Sequence, residues 1–366
     1  MTSIAEEVST PNKYNNSKIT ELKDLLNNKL FIIDKKNNDV EEQEKAIAFF
    51  DDMTIDRYLR ARSNNVKAAY DHIEKSYKWR IQNKPLQIFC SYCIEDRHSH
   101  SLRLLGLDQK SQRPVIYSCM YTATRRNNLK SNMEHMTRTF EDAQYLIKKT
   151  REEREKEESK KEESKKDKPK SNGDDNGIKE EEEEDLTPTS EQWVVFFDLY
   201  GFGIYDCDPR TAVYTAHLLT HYPERLSLGV VVDAPWGWAG LWSAISPILD
   251  ERTRKKIVFV RSKAKPEDKD SVESICGLGE EESKWLRKEI NIQREISKPD
   301  DHSYWLPPPV KEKNENDNDD DEVHDSRGFK SFVNTKLYID ILSKNAIYKD
   351  LVICPEVDDN KKNEKY

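Results

Sequence analysis

The chain has 366 residues and carries 60 basic against 69 acidic side chains, a net charge of −9, with apolar and charged shares equal at 35%. Two blocks distort that balance: 151–185 holds 10 basic and 16 acidic side chains and 311–326 holds 2 and 8, with Ile178 and Val323 their only apolar residues. Removing both from −9 leaves +3 on the rest, which excludes an acidic, polyanion-repelling protein and falls short of a dedicated nucleic-acid binder, so no nucleic-acid partner is expected.

Residues 1–17 are polar and read as disordered; they carry no secretory or lipidation signal. Residues 18–50 read as helix, with Ile19, Leu22, Leu25, Leu26 and Leu30 on one face, then a second helix through Ala46, Ile47 and Phe50. Asp52 or Thr54 caps a short helix over 54–62. Val66, Ala69, Tyr70, Ile73, Tyr77 and Ile81 mark a longer one, which Pro85 ends after Lys84. The expected N-terminal element, 18–84, is thus a small helical bundle. Strand formers fill 113–122, and helical spacing returns over 131–149 in Met133, Met136, Phe140, Ala143 and Ile147. The charged insertion, 151–190, has almost nothing to bury and is expected to be disordered, with a frayed Lys/Glu helix at its start. Three short apolar strands follow at 193–199, 228–233 and 256–261. A helix starts between the first two at Asp208-Pro209 and runs to about His221. Strands apolar on both faces suit a largely parallel sheet covered by helices, and the strand–helix alternation is the α/β pattern. Beyond 262 the pattern weakens to one or two short helices. An acidic linker at 306–328 and a C-terminal helix and tail at 329–366 close the chain, which leaves 85–305 as the lobe.

Catalytic signatures are absent: there is no phosphate-binding glycine loop, no nucleophile elbow and no H-E-x-x-H, so no enzyme is expected. Six cysteines form no dense disulfide framework, which fits the reducing cytosol. Cys90, Cys93, His98 and His100 place four zinc-type ligands within eleven residues, but His-x-His is tighter than finger spacing. They read as a helix exit and a polar loop, with no metal and no cofactor assigned; the contrary reading is a zinc enzyme built on the two cysteines. Residues 228–249 hold a single charge, Asp233, and are long enough to cross a bilayer. That charge, with Pro235 and Gly237, instead divides them into strand, turn and amphipathic helix. Trp238, Leu241, Trp242, Ile245 and Leu249 form one helical stripe, fit either for core packing or for a lid over an apolar cavity. Period two puts Trp193, Val195, Phe197 and Leu199 on one strand face and Val194, Phe196 and Asp198 on the other. Periodicity does not choose which face floors a pocket.

The run TIDRYLRARSNNVKAAYDHIEKSYKWR resembles the N-terminal helical element of CRAL-TRIO lipid-binding proteins. RPVIY, WVVFFDLYGFG and HYPERLSLGVVVDAPWGWAGLWSAISPILDERTRKKIVFV are similar to that family's lobe strands and its gate. The resemblance implies an α/β lobe whose mixed, largely parallel sheet floors an apolar pocket, lined here by Trp193, Val195, Phe197, Val230 and Val232 and closed by a gating helix at 237–249. With the cytoplasmic setting read above, it implies a monomeric carrier of one phospholipid or another hydrophobic molecule that visits membranes transiently, and some members present phosphatidylinositol to lipid kinases. In phosphatidylinositol-transfer members the headgroup is held at positions that are Arg62, Glu224, Thr253 and Lys256 here, and all four residue types are kept. A structural Arg62–Glu224 ion pair is the plainer reading of two of them. Arg252, Arg254, Lys255 and Lys256 add attraction to anionic lipid. The small hydroxyl residues with which some members hold phosphatidylcholine are replaced by Trp193 and Val195, which disfavours that lipid. A sterol or terpenoid guest, or a pocket filled by side chains in an interaction module, are the competing expectations; bulky Trp193 supports the last.

Overall fold

The computed structural model describes residues 16–33, 40–88, 90, 92, 99–100, 102–107, 113–119, 121, 123–124, 128–166, 191–203, 209–249, 251–275 and 278–295. Most of the expected disordered start, the insertion beyond 166, the acidic linker and the C-terminal helix lie outside these residues.

Helices α1 (Asn16–Lys29), α2 (Val40–Ala48), α3 (Asp52–Ala61) and α4 (Val66–Asn83) build the N-terminal bundle. Each of the last two starts where a short polar side chain satisfies an exposed amide. Asp51 accepts from the Thr54 amide at 2.8 Å, one residue before the expected cap, and Asn65 accepts from that of Ala68 at 2.9 Å. Helix α4 stops at Lys84, whose φ of 46° is left-handed, just before Pro85. Leu22, Leu26, Ile55, Tyr58, Leu59, Ala69 and Ile73 are fully buried between the helices.

Strands β1 (Leu102–Leu107), β2 (Pro114–Cys119), β3 (Trp193–Asp198), β4 (Leu226–Val232) and β5 (Ile257–Val260) form one sheet in the order β1-β2-β3-β4-β5. β1 runs antiparallel to β2 and the remaining pairs are parallel. The architecture is therefore the expected mixed, mostly parallel α/β lobe. β1 itself was not foreseen. Its pairing shifts between Leu104 and Gly106, and a bulge of that kind breaks the period-two pattern.

Helix α5 (Leu129–Lys166) runs well past 149, and α6 (Pro209–Thr220), α7 (Trp238–Ile245), α8 (Glu251–Lys255) and α9 (Glu280–Glu295) follow. The charged end of α5 buries little; ion pairs one turn apart, Lys149 with Glu152 at 2.7 Å and Arg151 with Glu155 at 3.9 Å, support it locally. Helix α9, faint in the sequence, covers a whole sheet face. Its Trp285, Leu286 and Ile290 pack on Tyr117, Val194, Phe196, Val230 and Val232. Its Arg294 reaches Asp198 at 2.7 and 2.9 Å and Asp233 at 2.7 Å, which accounts for the lone charge in the apolar run 228–249. That run divides into β4, a turn and α7. No helix among the described residues is long and apolar enough to cross a membrane.

The bundle meets the lobe through α3, where Arg57 pairs with Glu191 and the Tyr58 hydroxyl donates to the His221 carbonyl at 3.0 Å, and through α4. Arg80 and Glu141 of α5 form a buried two-point ion pair at 2.9 Å each, and the Tyr222 hydroxyl donates to the same carboxylate at 2.8 Å. Nearby, the His221 ring stacks on Trp79 at 4.4 Å and its Nδ1 meets the Ser76 hydroxyl at 3.0 Å. Burial, together with His72 and Arg80, pushes the His221 imidazole down to about 4 from 6.5. The unfolded chain therefore takes up this proton first. The stability His221 gives is complete above about pH 6.5 and is lost as pH falls to about 4, at a cost of about 1–3 kcal/mol. Unfolding temperatures measured between pH 7 and 4.5 should fall more steeply for wild type than for His221→Gln; parallel slopes would contradict this.

Candidate functional site

A cavity of about 900 Å³ lies between the sheet and helices α6 and α7, at the large end of the range for ligand pockets. Trp193, Val195 and Phe197 of β3 line this cavity. The β4 share of the floor comes from Gly229 and Val231, not from Val230 and Val232. Parallel pairing sets Val195 beside Gly229 and Phe197 beside Val231, so those four share a face. Val230 and Val232 pair with Phe196 and Asp198 and point into the core under α9. In a strand apolar at every position, register alone decides which side chains see the hollow. Trp193 does not fill the space. Its ring lies flat on Phe140, 5.3 Å away at 9°, and packs against Tyr222, so it is wall rather than plug.

Trp238, Leu241, Trp242, Ile245 and Leu249 all face this cavity. No residue of α7 is fully buried, although the helix is strongly apolar. A core helix would bury such a stripe; this one borders a hollow. Its first residue follows Gly237, which supplies no side-chain cap, and added methyls at Gly237 or Gly240 would meet nothing within 4 Å. Trp238 touches Phe202 edge-on at 5.9 Å and Trp242 touches Phe259 at 5.5 Å. Trp236, just outside, is 89% exposed. Helix α7 thus borders the cavity with its apolar stripe and makes aromatic contacts through Trp238 and Trp242.

A polar corner interrupts the apolar lining. Arg62 ends α3, Glu224 sits in the turn between α6 and β4 at φ 58°, Thr253 belongs to α8 and Lys256 follows it. The first three line the cavity. Lys256 Nζ is 3.5 Å and Arg252 Nη1 is 3.8 Å from the buried Glu224 carboxylate. Both gaps exceed ordinary hydrogen-bond length, and Glu224 Oε1 has no hydrogen-bond donor. The expected Arg62–Glu224 pair is not formed. The Arg62 guanidinium donates to the Ala61 carbonyl at 3.0 Å and has no carboxylate partner among the described residues. Two cations thus flank one carboxylate, and Arg62 lines the same cavity without pairing with it. The sequence reading treated Arg252 only as a surface charge; its sequence position gave no sign that it reaches Glu224.

Near the β1 edge, the opposite side of the sheet from Lys256, His100 and His135 also line the cavity. Cys93 and His98 lie outside the described residues.

Part of the chain is similar to known proteins. A sequence model of the CRAL/TRIO domain matches residues 175–274. The chain is similar to the CRAL-TRIO domain-containing protein C3H8.02 of Schizosaccharomyces pombe, 24% identical over 215 residues, which is 56% of this chain and 40% of that protein. It is also similar to the CRAL-TRIO domain-containing protein C23B6.04c of the same yeast, 38% identical over 60 residues, 16% of this chain and 6% of that protein. Less than half of either relative is therefore spanned. Among solved structures, the crystal structure of Sfh5 aligns over 68% of this chain and 81% of its own, at 15% identity and a TM-score of 0.42.

Proposed function

We propose that the CRAL-TRIO domain of this chain holds a single phospholipid, phosphatidylinositol before others, and exchanges or presents it at a membrane surface. The observation that carries this reading is the pairing of one large apolar hollow with a cationic corner in its wall. Drawing a two-chain lipid from a bilayer into water exposes on the order of thirty methylenes at about 0.8 kcal/mol each, roughly 20–25 kcal/mol. Exchange needs an apolar enclosure that replaces the bilayer, and the floor of Trp193, Val195, Phe197 and Val231 offers one. Arg62 and Lys256 suit the phosphate by charge, Thr253 adds a neutral hydrogen bond, and the Glu224 carboxylate accepts from inositol hydroxyls. A sterol would leave these charges unused. Helix α7 then acts as the gate, and the exposed Trp236 beside it suits the bilayer interface, where tryptophan is favoured. On this reading the protein works as a cytoplasmic monomer that touches membranes transiently and hands its lipid to a lipid kinase.

The test is transfer of labelled lipids between vesicles by the full chain. Phosphatidylinositol should move and phosphatidylcholine should move at least about tenfold more slowly, since Trp193 and Val195 carry no hydroxyl for the choline lipid's phosphate. Equal transfer of both would overturn the headgroup preference, and transfer of neither would overturn the carrier role.

A further inference from the structure

We propose that Cys90, His100 and His135 bind one divalent cation of the zinc class at the β1 side of the cavity, a site separate from the lipid corner. The sequence offered Cys90 and His100 within one short stretch; folding adds His135 from α5. One ligand atom from each residue lies within 4.8 Å of the other two, and Cys90 Sγ is 4.0 Å from His100 Nδ1. A tetrahedral zinc with sulfur at about 2.3 Å and nitrogen at about 2.0 Å sets sulfur and nitrogen about 3.6 Å apart, so binding needs closure by about 1 Å and one imidazole turned out of its stack on the other.

The surroundings suit the role. Cys90 and His100 are buried, and the two imidazole rings stack at 4.6 Å. His100 Nε2 lies 2.9 Å from the Ser131 hydroxyl, and His135 Nε2 lies 2.6 Å from the Leu102 carbonyl. If Nε2 of His135 donates to this carbonyl, the Arg103 guanidinium beside it has to donate elsewhere, and Nδ1 is then the lone-pair nitrogen that meets the metal. A polar group behind each ring is how metal-binding imidazoles are oriented. One sulfur and two nitrogens, with no carboxylate among them, favour zinc over calcium or magnesium. Arg103 opposes a cation here, with Nη1 3.1 Å from His135 Nε2. Binding answers that by releasing the Cys90 proton, so that a thiolate faces the metal and the added charge falls from two to one. Because His100 and His135 also line the cavity, the fourth position opens towards it and takes water or a polar group of the cavity's guest.

The experiment uses the full chain, stripped by a chelator, titrated with zinc alone and then with cobalt as a coloured substitute. One equivalent should bind, and cobalt should show a thiolate charge-transfer band. Cys90→Ser should abolish that band, and both Cys90→Ser and His135→Gln should weaken zinc binding at least about tenfold. Glutamine keeps an amide donor for the Leu102 carbonyl, and unfolding temperatures of the metal-free variants report whether the fold survives. Cys93→Ser should leave binding intact. The proposal is overturned if wild type binds less than half an equivalent, if all three variants bind like wild type, or if Cys93→Ser loses the metal while Cys90→Ser keeps it.

Discussion

Replacing Glu224 and Lys256 together by alanine is expected to cut phosphatidylinositol uptake about 100-fold while leaving the unfolding temperature within a few degrees of wild type. Each charge-assisted contact to the headgroup is worth about 1.5–3 kcal/mol, so losing two gives a factor of about 100 at the least. The fold survives because the pair is removed as a pair. Glu224 is the buried member, and deleting Lys256 alone would leave its carboxylate less well compensated. Arg252, the other cation beside it, is 56% exposed and stays solvated when Glu224 goes. Arg62→Ala by itself should lower uptake about tenfold at little cost in stability, since that guanidinium has no carboxylate partner among the described residues. Unchanged uptake by the double variant would refute the headgroup assignment. An equal loss for every hydrophobic ligand tested would show instead that the cavity had collapsed.

The largest effect on stability is expected from Glu141→Leu. The Arg80 guanidinium is 4% exposed and lies 3.6 Å over the Phe49 ring, so without Glu141 it becomes a buried charge with its main partner gone. Breaking a buried pair from one side costs about 3–5 kcal/mol, a fall in unfolding temperature of roughly 10 °C for a chain of this size. Tyr222 loses its acceptor in the same step. Removing both charges, as Arg80→Met with Glu141→Leu, should restore much of the loss, because two apolar groups replace the pair and only the Tyr222 hydroxyl stays without its acceptor. Calorimetry on the two variants decides it: a single variant within about 2 °C of wild type would contradict this account of the junction. The consequence reaches the site, since Tyr222 and Glu224 belong to one turn.

The N-terminal helices and four of the five strands were legible because their side chains repeat at 3.6 or run continuously apolar, and because Pro85 and Pro209 punctuate them. The bulged β1 was hidden by its own irregularity. Helix α9 was faint because its apolar residues, Trp285, Leu286 and Ile290, are few and set among charges; only the sheet opposite gives them meaning. The cover helix was readable as a stripe, but the choice between core and lid depended on the hollow beneath it. In the floor, period two groups Trp193, Val195 and Phe197 on one β3 face but only the resemblance turns that face to the pocket, and Val230 against Val231 is settled by register. In the polar corner the sequence supplied four residue types by resemblance. That Glu224 faces Lys256 and Arg252, rather than Arg62, follows from a left-handed turn that no pattern announces. His135 escaped notice for a similar reason: thirty-five residues separate it from His100, and helix α5 brings the rings together.

The central claim is that this hollow is built for a fatty guest. Mass spectrometry of an organic extract of the purified full chain, with the guest quantified against protein, tests it most directly. The account predicts a two-chain lipid, chiefly phosphatidylinositol, at close to one molecule per protein. An extract that holds no acyl lipid or other hydrophobic molecule, from protein that also takes up none when offered, would contradict it.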